Sequence, residues 1–275
     1  MAGQGLVSLL FVPGARPERF AKALATDADM VCIDLEDAVA AADKDNARAA
    51  AIAAIGPRVA IRINGLRTAS GLADLLALAA APVLPELVFV PMVESAEEIR
   101  IVASVLGAQA AIVPLVESPR GLAAGVEIAR TPGVVAMMFG GGDLSAELGV
   151  RLAWEPLAVA RGLFVLACAQ AGIPAIDVPF VDLADTGGLA EEAHKACALG
   201  FTAKAAIHPA QLDAIHAAMR PDAAAVAEAR EAVAAFDAAG GAAVKFKGRM
   251  LEAPLMRRYA RILATAGNDL EKGNA

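Results

Sequence analysis

Short, nearly unbroken apolar runs recur along this chain, each followed by a longer alanine-rich stretch of helical period. The runs are SLLFV (8–12), MVCI (30–33), RVAIRI (58–63), ELVFV (86–90), AIVPLV (111–116), VVAMMF (134–139), IPAID (173–177) and AKAAI (203–207). Apolar runs of this length, bounded by turn-forming residues, predict strands buried on both faces, as in a parallel sheet. The intervening stretches predict helices over Pro17–Ala25, Asp43–Ala54, Gly71–Ala80, Ser95–Leu106, Pro119–Ala129, Pro156–Ala171, Gly187–Ala198 and Pro209–Met219. Pro17, Pro119, Pro156 and Pro209 suit a first helical turn, where a missing N–H costs nothing. Ser95 followed by Glu98 has capping-box spacing. Eight strand–helix units in roughly 220 residues predict a (β/α)₈ TIM barrel, with a doubly wound open sheet as the alternative.

After Met219 the pattern changes. A helix is expected over Asp222–Ala239, ended by Gly240–Gly241. Residues 243–249 read as a short strand or extended arm, 254–266 as a final helix, and 267–275 as a frayed polar end. The expected organisation is a barrel over residues 1–220 with an appended C-terminal helical segment over 221–275, serving as a lid or an oligomer contact.

Composition narrows the function classes. The chain is 57% hydrophobic but only 4% aromatic, so its core must be aliphatic and alanine-rich. A net charge of −7 gives no basic face for nucleic acid. Cys32, Cys168 and Cys197 form no C-x-x-C pair, which argues against a zinc ribbon or disulfide framework and fits a reducing cytosol. Cys32, inside MVCID, reads as a small buried hydrophobe. Mean hydropathy is +0.55, yet the longest uncharged stretch, 101–116, contains Gly107, Gln109 and Pro114 and falls short of the roughly 18 apolar residues a spanning helix needs. No basic residue precedes the first apolar run, unlike a secretory signal. A soluble, cytoplasmic protein is expected, with no membrane or nucleic-acid partner.

Chemistry in a parallel barrel sits at the carboxyl ends of its strands. The polar residues expected there are Asp34, Glu36 and Asp37; Arg62 and Asn64; Glu94 and Ser95; Glu117; Asp143, after the triple glycine Gly140–Gly142; Asp177; and His208. Glu117 and Asp143 follow neighbouring strands. Two hard oxygen ligands of this kind suit Mg²⁺, which takes one or two carboxylates and keeps sites open for water and substrate. Asp143 and Ser95 also suit plain helix caps. Glu117 precedes a Ser-Pro pair that already starts a helix, so a cap does not explain it. Arg62 lies within an apolar alternation and needs a ligand, or an ion pair with Glu36 or Asp37. The triple glycine matches neither common phosphate-loop pattern and reads as a close approach of backbone to a metal-bound ligand. Lys204 raises a Schiff-base aldolase, but its early place in strand eight opposes that. His208 is expected to hydrogen-bond within its loop, and His194 to be exposed.

The ordered motifs LFVPGARPERFAKAL, DLEDAV, KDNAR, RING, VESPRG, FGGGDLSAELG, GFTAKAAIHPAQL and GRMLEAP resemble the citrate lyase beta-subunit-like (CitE-like) branch of the HpcH/HpaI aldolase superfamily. The resemblance covers residues 8 to about 266. It implies a TIM barrel, usually trimeric, that cleaves or forms C–C bonds in 3-hydroxyacyl-CoA thioesters such as citryl-, malyl- or citramalyl-CoA. The acyl-CoA partners a keto acid: oxaloacetate, glyoxylate or pyruvate. It implies Mg²⁺ on Glu117 and Asp143, Arg62 on the keto-acid oxygens, Glu36 near the metal, and Arg16 and Lys22 on CoA phosphates. Relatives commonly read G-K-M-I-D-x-P where this chain has GRMLEAP. Glu252 thus stands where the resemblance implies a carboxylate acting across a subunit boundary. That longer side chain keeps acid/base work open, or marks a malyl-CoA-type thioesterase or a malate-synthase-like activity. A non-autonomous subunit of a citrate lyase complex is a further alternative.

Overall fold

The computed structural model describes residues 5–272, with side chains through 267. All eight apolar runs form parallel strands: β1 (Ser8–Pro13), β2 (Met30–Asp34), β3 (Val59–Arg62), β4 (Leu87–Val90), β5 (Ile112–Val116), β6 (Met137–Phe139), β7 (Ala175–Asp177) and β8 (Ala203–Ala206). They close in sequence order into a barrel, sealed by β1 against β8 from Ser8↔Lys204 to Leu10↔Ala206. This is the TIM barrel expected, not the open sheet. The interior is filled by Leu9, Met30, Cys32, Ala60, Phe89, Val113, Leu115, Met138, Ile176, Ala203 and Ala205, among others. Large side chains on some strands face alanines on others, which lets a closed ring of this size fill without voids. The alanines that lower the aromatic content therefore sit where the taper needs them.

The helical layer comprises α1 (Phe20–Leu24), α2 (Lys44–Ala53), α3 (Ala69–Ala79), α4 (Ala96–Leu106), α5 (Pro119–Ala123), α6 (Gly125–Ala129), α7 (Gly141–Leu148), α8 (Trp154–Ala171), α9 (Thr186–Leu199) and α10 (Leu212–Met219). Single 3-10 turns at Pro17–Arg19, Ala41–Asp43 and Pro209–Gln211 lead into α1, α2 and α10. Prolines occupy first-turn positions of two of these turns and of α5, as their fixed φ favours. Ser95 and Glu98 form the expected capping box on α4. Two segments depart from the sequence reading: α7 begins inside the triple glycine, where no helix is expected, and the single helix expected over Pro119–Ala129 is divided at Ala124 into α5 and α6.

The chain from His216 onward forms a second compact unit. Its helices α11 (Ala223–Ala238) and α12 (Ala253–Lys272) pack about Ala229, Ala232, Leu251 and Tyr259. Between them β9 (Val244–Phe246) and β10 (Arg249–Leu251) pair as an antiparallel hairpin. Lys247 and Gly248 turn it with φ of 46° and 79°, the left-handed pair a two-residue hairpin requires. Helix α12 runs through Lys272, beyond the expected start of fraying at residue 267. The last three residues of that expectation lie outside the described residues. No helix among the described residues is long and apolar enough to cross a membrane.

Candidate active site

The carboxyl end of the barrel opens into a cavity of about 400 Å³. Phe11, Leu115, Met138, Val178 and Ile207 form its apolar wall, and Asp34, Asp37, Arg62, Glu117 and Asp143 its polar side. Strand register builds the first half. Asp34 ends β2, Arg62 ends β3, and the two are paired across the ladder. The Arg62 guanidinium donates from Nε to Asp34 Oδ1 at 2.6 Å and from Nη2 to Asp34 Oδ2 at 2.7 Å. Such a bidentate fork fixes orientation as well as charge. The same carboxylate accepts from the backbone N–H of Glu36 and Ala38 and so folds the loop beyond it. Glu36 Oε2 then lies 2.8 Å from Arg62 Nη1, and Asp37 Oδ2 3.5 Å from Nη2. The guanidinium carbon rests 5.2 Å from the centre of the Phe11 ring. Burial disfavours the Arg62 cation, but its bonds to Asp34 and the charges of Asp34, Glu36 and Asp37 outweigh that and raise its pKa.

Glu117 supplies the second half. It follows β5 directly and is almost fully buried. Its Oε2 accepts from the backbone N–H of Met92 at 2.7 Å. Met92 holds φ at 55°, a costly left-handed conformation for a side-chain-bearing residue, and this turn directs its N–H at the carboxylate. Gly140 makes room: a Cβ there would lie 1.9 Å from Glu117 Cγ. The triple glycine is expected to bring backbone close to a metal-bound ligand; the close approach found at Gly140 is to the Glu117 carboxylate itself. Asp143 sits in the first turn of α7 as its third residue. It is not the N-cap, which is Gly140.

The electrostatics follow from crowding. Burial pushes the Glu117 carboxyl up to about 7, opposed by the Met92 N–H and Arg62 and reinforced by Asp143 and Asp37. Burial likewise pushes Glu36 up to about 8; Arg62 opposes this, while Glu117, Asp37 and Asp34 reinforce it. Asp143 is raised by burial and by Asp37, against the pull of Arg62. Several carboxylates thus share one guanidinium that Asp34 already claims. A dication on the Glu117 and Asp143 oxygens would relieve this excess. Among the described residues no group of three His, Cys, Asp or Glu side chains gathers to hold a metal. Two carboxylates facing an open cavity fit Mg²⁺, which retains water and substrate ligands.

Other rim candidates have structural roles. Glu94 binds Arg67 at 2.7 Å and accepts from Ser118 Oγ at 2.9 Å. Asn64 turns away into a network with Lys44 and Asp74. His208 caps its own 3-10 turn through Nδ1, and His194 is exposed. Asp177 does not face the rim, contrary to expectation. It is fully buried, bonded to Lys204 Nζ at 2.7 Å and to Arg161 Nε at 3.0 Å. Arg161 comes from α8, and Glu192 of α9 lies 2.8 Å from Lys204 Nζ, so this cluster lies between the sheet and the helices. The three N–H donors of Lys204 are all engaged, by Asp177, Glu192 and the Val178 carbonyl. That makes it a structural cation and removes the Schiff-base reading. Arg16 is exposed, 3.6 Å from Glu18, and Lys22 is exposed on α1; neither lines the cavity. Glu252 is exposed and immediately precedes α12, in the second unit. Sequence reasoning missed the Met92 N–H and understated Asp34, which is the main partner of Arg62.

A closed parallel barrel with the buried carboxylate of Glu117, the more open one of Asp143 and an anchored guanidinium around one cavity defines a (β/α)₈ barrel with a cation-ready site at its catalytic face. The chain belongs to the HpcH/HpaI aldolase/citrate lyase family, whose model matches residues 7–209. It is 38% identical over 267 residues to a citrate lyase subunit beta-like protein of Mycobacterium tuberculosis, covering 94% of each chain. It is 33% identical over 296 residues to an L-malyl-CoA/beta-methylmalyl-CoA lyase of Cereibacter sphaeroides, covering 94% of this chain and 93% of that one. Among solved structures, CitE from Mycobacterium tuberculosis in complex with magnesium, acetoacetate and coenzyme A matches with a TM-score of 0.83 at 36% identity, covering 97% of this chain and 100% of the other.

Proposed function

We propose that the protein is a Mg²⁺-dependent lyase that cleaves, or forms, the C–C bond of a 3-hydroxyacyl-CoA such as citryl-, malyl- or citramalyl-CoA. The products of cleavage are a 2-oxoacid (oxaloacetate, glyoxylate or pyruvate) and an acyl-CoA. The observation that carries this reading is the convergence of Glu117, Asp143 and Arg62 on one cavity. The named relatives, and the magnesium and coenzyme A bound by the matching structure, support it.

Mg²⁺ on Glu117 and Asp143 would supply Lewis-acid charge at the oxygens of the hydroxy acid, which lowers the hydroxyl pKa and polarises the nascent carbonyl. Arg62 donates to the same oxygens and stabilises the charge they gain. Its bidentate bonds to Asp34 keep the fork from turning as substrate binds. Glu36 lies beside Nη1 as an ion-pair partner, and an N–H of Nη1 is left for the substrate. The apolar wall keeps water from the enolate left after C–C cleavage. Glu252, supplied by a second copy of the chain, protonates that enolate at carbon, or removes the proton in the condensation direction. Arg16 and Lys22 bind CoA phosphates.

The working form is a cytoplasmic homotrimer, with the segment 221–275 in contacts between copies. Val159, Leu163 and Leu166 form an exposed apolar stripe on α8, a face suited to burial against another copy.

The test is a panel of CoA thioesters with Mg²⁺, analysed for both products. Release of free 2-oxoacid with acyl-CoA is expected from the purified chain alone; free CoA with hydroxy acid would instead show a thioesterase. Glu117→Ala and Asp143→Ala should abolish turnover. Activity that survives EDTA would overturn the metal assignment.

A further inference from the structure

Lys44 opens α2, away from the cavity lining, yet its ammonium is fully engaged at the back of the site. Nζ donates to the carbonyls of Leu35 and Glu36 at 2.7 Å each and to Asn64 Oδ1 at 2.6 Å. Three donors meet three acceptors, the full capacity of an ammonium. Asn64 in turn donates from its backbone N–H and its Nδ2 to Asp74 Oδ2, at 2.8 and 2.6 Å. Asp74 Oδ1 accepts from Arg48 Nε at 2.6 Å. Asn64 and Asp74 are buried, so each of these bonds is costly to leave unmade.

The two segments that Lys44 joins are the two that build the Arg62 clamp. Leu35 and Glu36 follow Asp34, and Asn64 lies two residues beyond Arg62 in sequence. The Lys44 bonds fix the carbonyls of the two peptide units that flank the Glu36 Cα, and Asp34 Oδ1 fixes the Glu36 N–H at the other edge of the first of these units. The Glu36 carboxylate, 2.8 Å from Arg62 Nη1, is thereby set from its backbone. We propose that Lys44, through Asn64 and the Glu36 backbone, is a positioning residue for Arg62, setting the guanidinium for the 2-oxoacid. The kinetic part of this inference rests on the lyase reading above; the structural part does not.

The fold contains an internal control. Arg58, before β3 at the opposite end of the barrel, clamps the carbonyls of Leu24, Thr26 and Ala28 in the same manner. Conserving stability is the role expected of residues at that end, whereas the other end serves chemistry. Lys44→Met and Arg58→Met should both lower the thermal midpoint. They should differ at Arg62.

The experiment reads the ¹H–¹⁵N signal of the Arg62 Nε–H, assigned by its loss in Arg62→Lys. In the wild-type chain and in Arg58→Met one sharp, slowly exchanging signal is expected. In Lys44→Met it should broaden or move toward the solvent-exposed range. In the condensation direction with Mg²⁺, kcat/KM for the 2-oxoacid should fall about 30- to 100-fold in Lys44→Met, the scale of an ångström-sized misplacement, with KM for acyl-CoA within twofold. Asn64→Ser, a milder cut in the same network, should show a smaller shift in the same readouts and serves if Lys44→Met does not fold. An unchanged Arg62 signal in the folded variant overturns the proposal. So does a loss of thermal midpoint alone, matching Arg58→Met. A wild-type chain inactive on every thioester would remove the lyase reading, while the Arg62 signal would still decide the role of Lys44.

Discussion

Replacing Gly140 with alanine tests the Glu117 site by adding a single methyl group. The backbone at Gly140 has φ of −94° and ψ of 70°, so the cost is one of space rather than of a left-handed conformation. The new Cβ would lie 1.9 Å from Glu117 Cγ, 2.6 Å from Oε1 and 2.7 Å from Cδ. To reach an ordinary contact of 3.4 Å the carboxylate must retreat by about 1.5 Å. Retreat breaks its 2.7 Å bond from the Met92 N–H, and a hydrogen bond to a charged group contributes about 1.5–3 kcal/mol. Overpacking of a buried position adds about 1–3 kcal/mol. The expected destabilisation is therefore about 2.5–6 kcal/mol, a fall of roughly 5–24 °C in thermal midpoint for a chain of this size. If Glu117 holds Mg²⁺ as proposed, displacing its carboxylate by more than about 1 Å should cost about 10²-fold in turnover. The assays are thermal unfolding, Mg²⁺ titration by calorimetry, and Mg²⁺-dependent 2-oxoacid release. Gly162→Ala, in the middle of α8 with nothing within 4 Å of the added methyl, is the control and should gain up to about 1 kcal/mol. Wild-type Mg²⁺ affinity and turnover within threefold in Gly140→Ala would refute the claim that this glycine exists to admit Glu117.

Further expectations concern the charges around the cavity. Arg62→Lys keeps the charge but cannot reproduce the fork on Asp34, so kcat/KM for the 2-oxoacid should fall by about 10²-fold or more; recovery to within fivefold of wild type would show that charge alone suffices. The metal-free protein should be most stable in mild acid. Glu117 and Glu36 have folded pKa values raised from 4.5 to about 7 and about 8, so the native state binds protons more tightly than the unfolded chain, and stability is lost as pH rises from about 4.5 through 8. Glu117→Gln should flatten that slope, and an unchanged slope would speak against burial as its cause. Lys204→Met leaves Asp177 and Glu192 with Arg161 as their one buried cation and should cost about 3–5 kcal/mol in urea unfolding. Borohydride with substrate should leave the wild-type chain mass unchanged, and an adduct at Lys204 would contradict its structural assignment.

Strand positions were legible because a barrel strand buried on both faces reads as an unbroken apolar run, and every such run in this chain became a strand. The same double burial hides which way a polar residue at a strand end points. Asp177 and Glu117 look alike in sequence, yet one enters the helix layer and the other the cavity. Helix α7 was illegible because two of its first residues are glycines, the weakest helix formers apart from proline; a Cβ at Gly141 would lie 3.2 Å from side-chain atoms of Phe139, Leu152 and Val178, so the tight space there favours glycine over a better helix former. That Glu117, Asp143 and Arg62 meet at one cavity could be found from spacing and motif. The groups that hold them could not. Lys44, Asn64 and Asp74 lie 20 and 10 residues apart, with no periodicity linking them, and the Met92 N–H is a backbone atom that carries no sequence signal.

Closure of the ring by β1 and β8 joins residues 8–10 to residues 204–206. While the chain is being made, β1 therefore waits for nearly 200 residues before its last neighbour exists. At roughly 5–20 residues per second on a ribosome, that interval is about 10–40 s. Throughout it the partial sheet presents an unpaired, largely apolar edge, the feature most prone to wrong association. The closing strand also brings Lys204, so the buried charge of Asp177 gains its second cation only at the final step. Variants that weaken this seam should therefore show themselves first as poor yield in the cell, more sharply than in the stability of whatever protein is recovered.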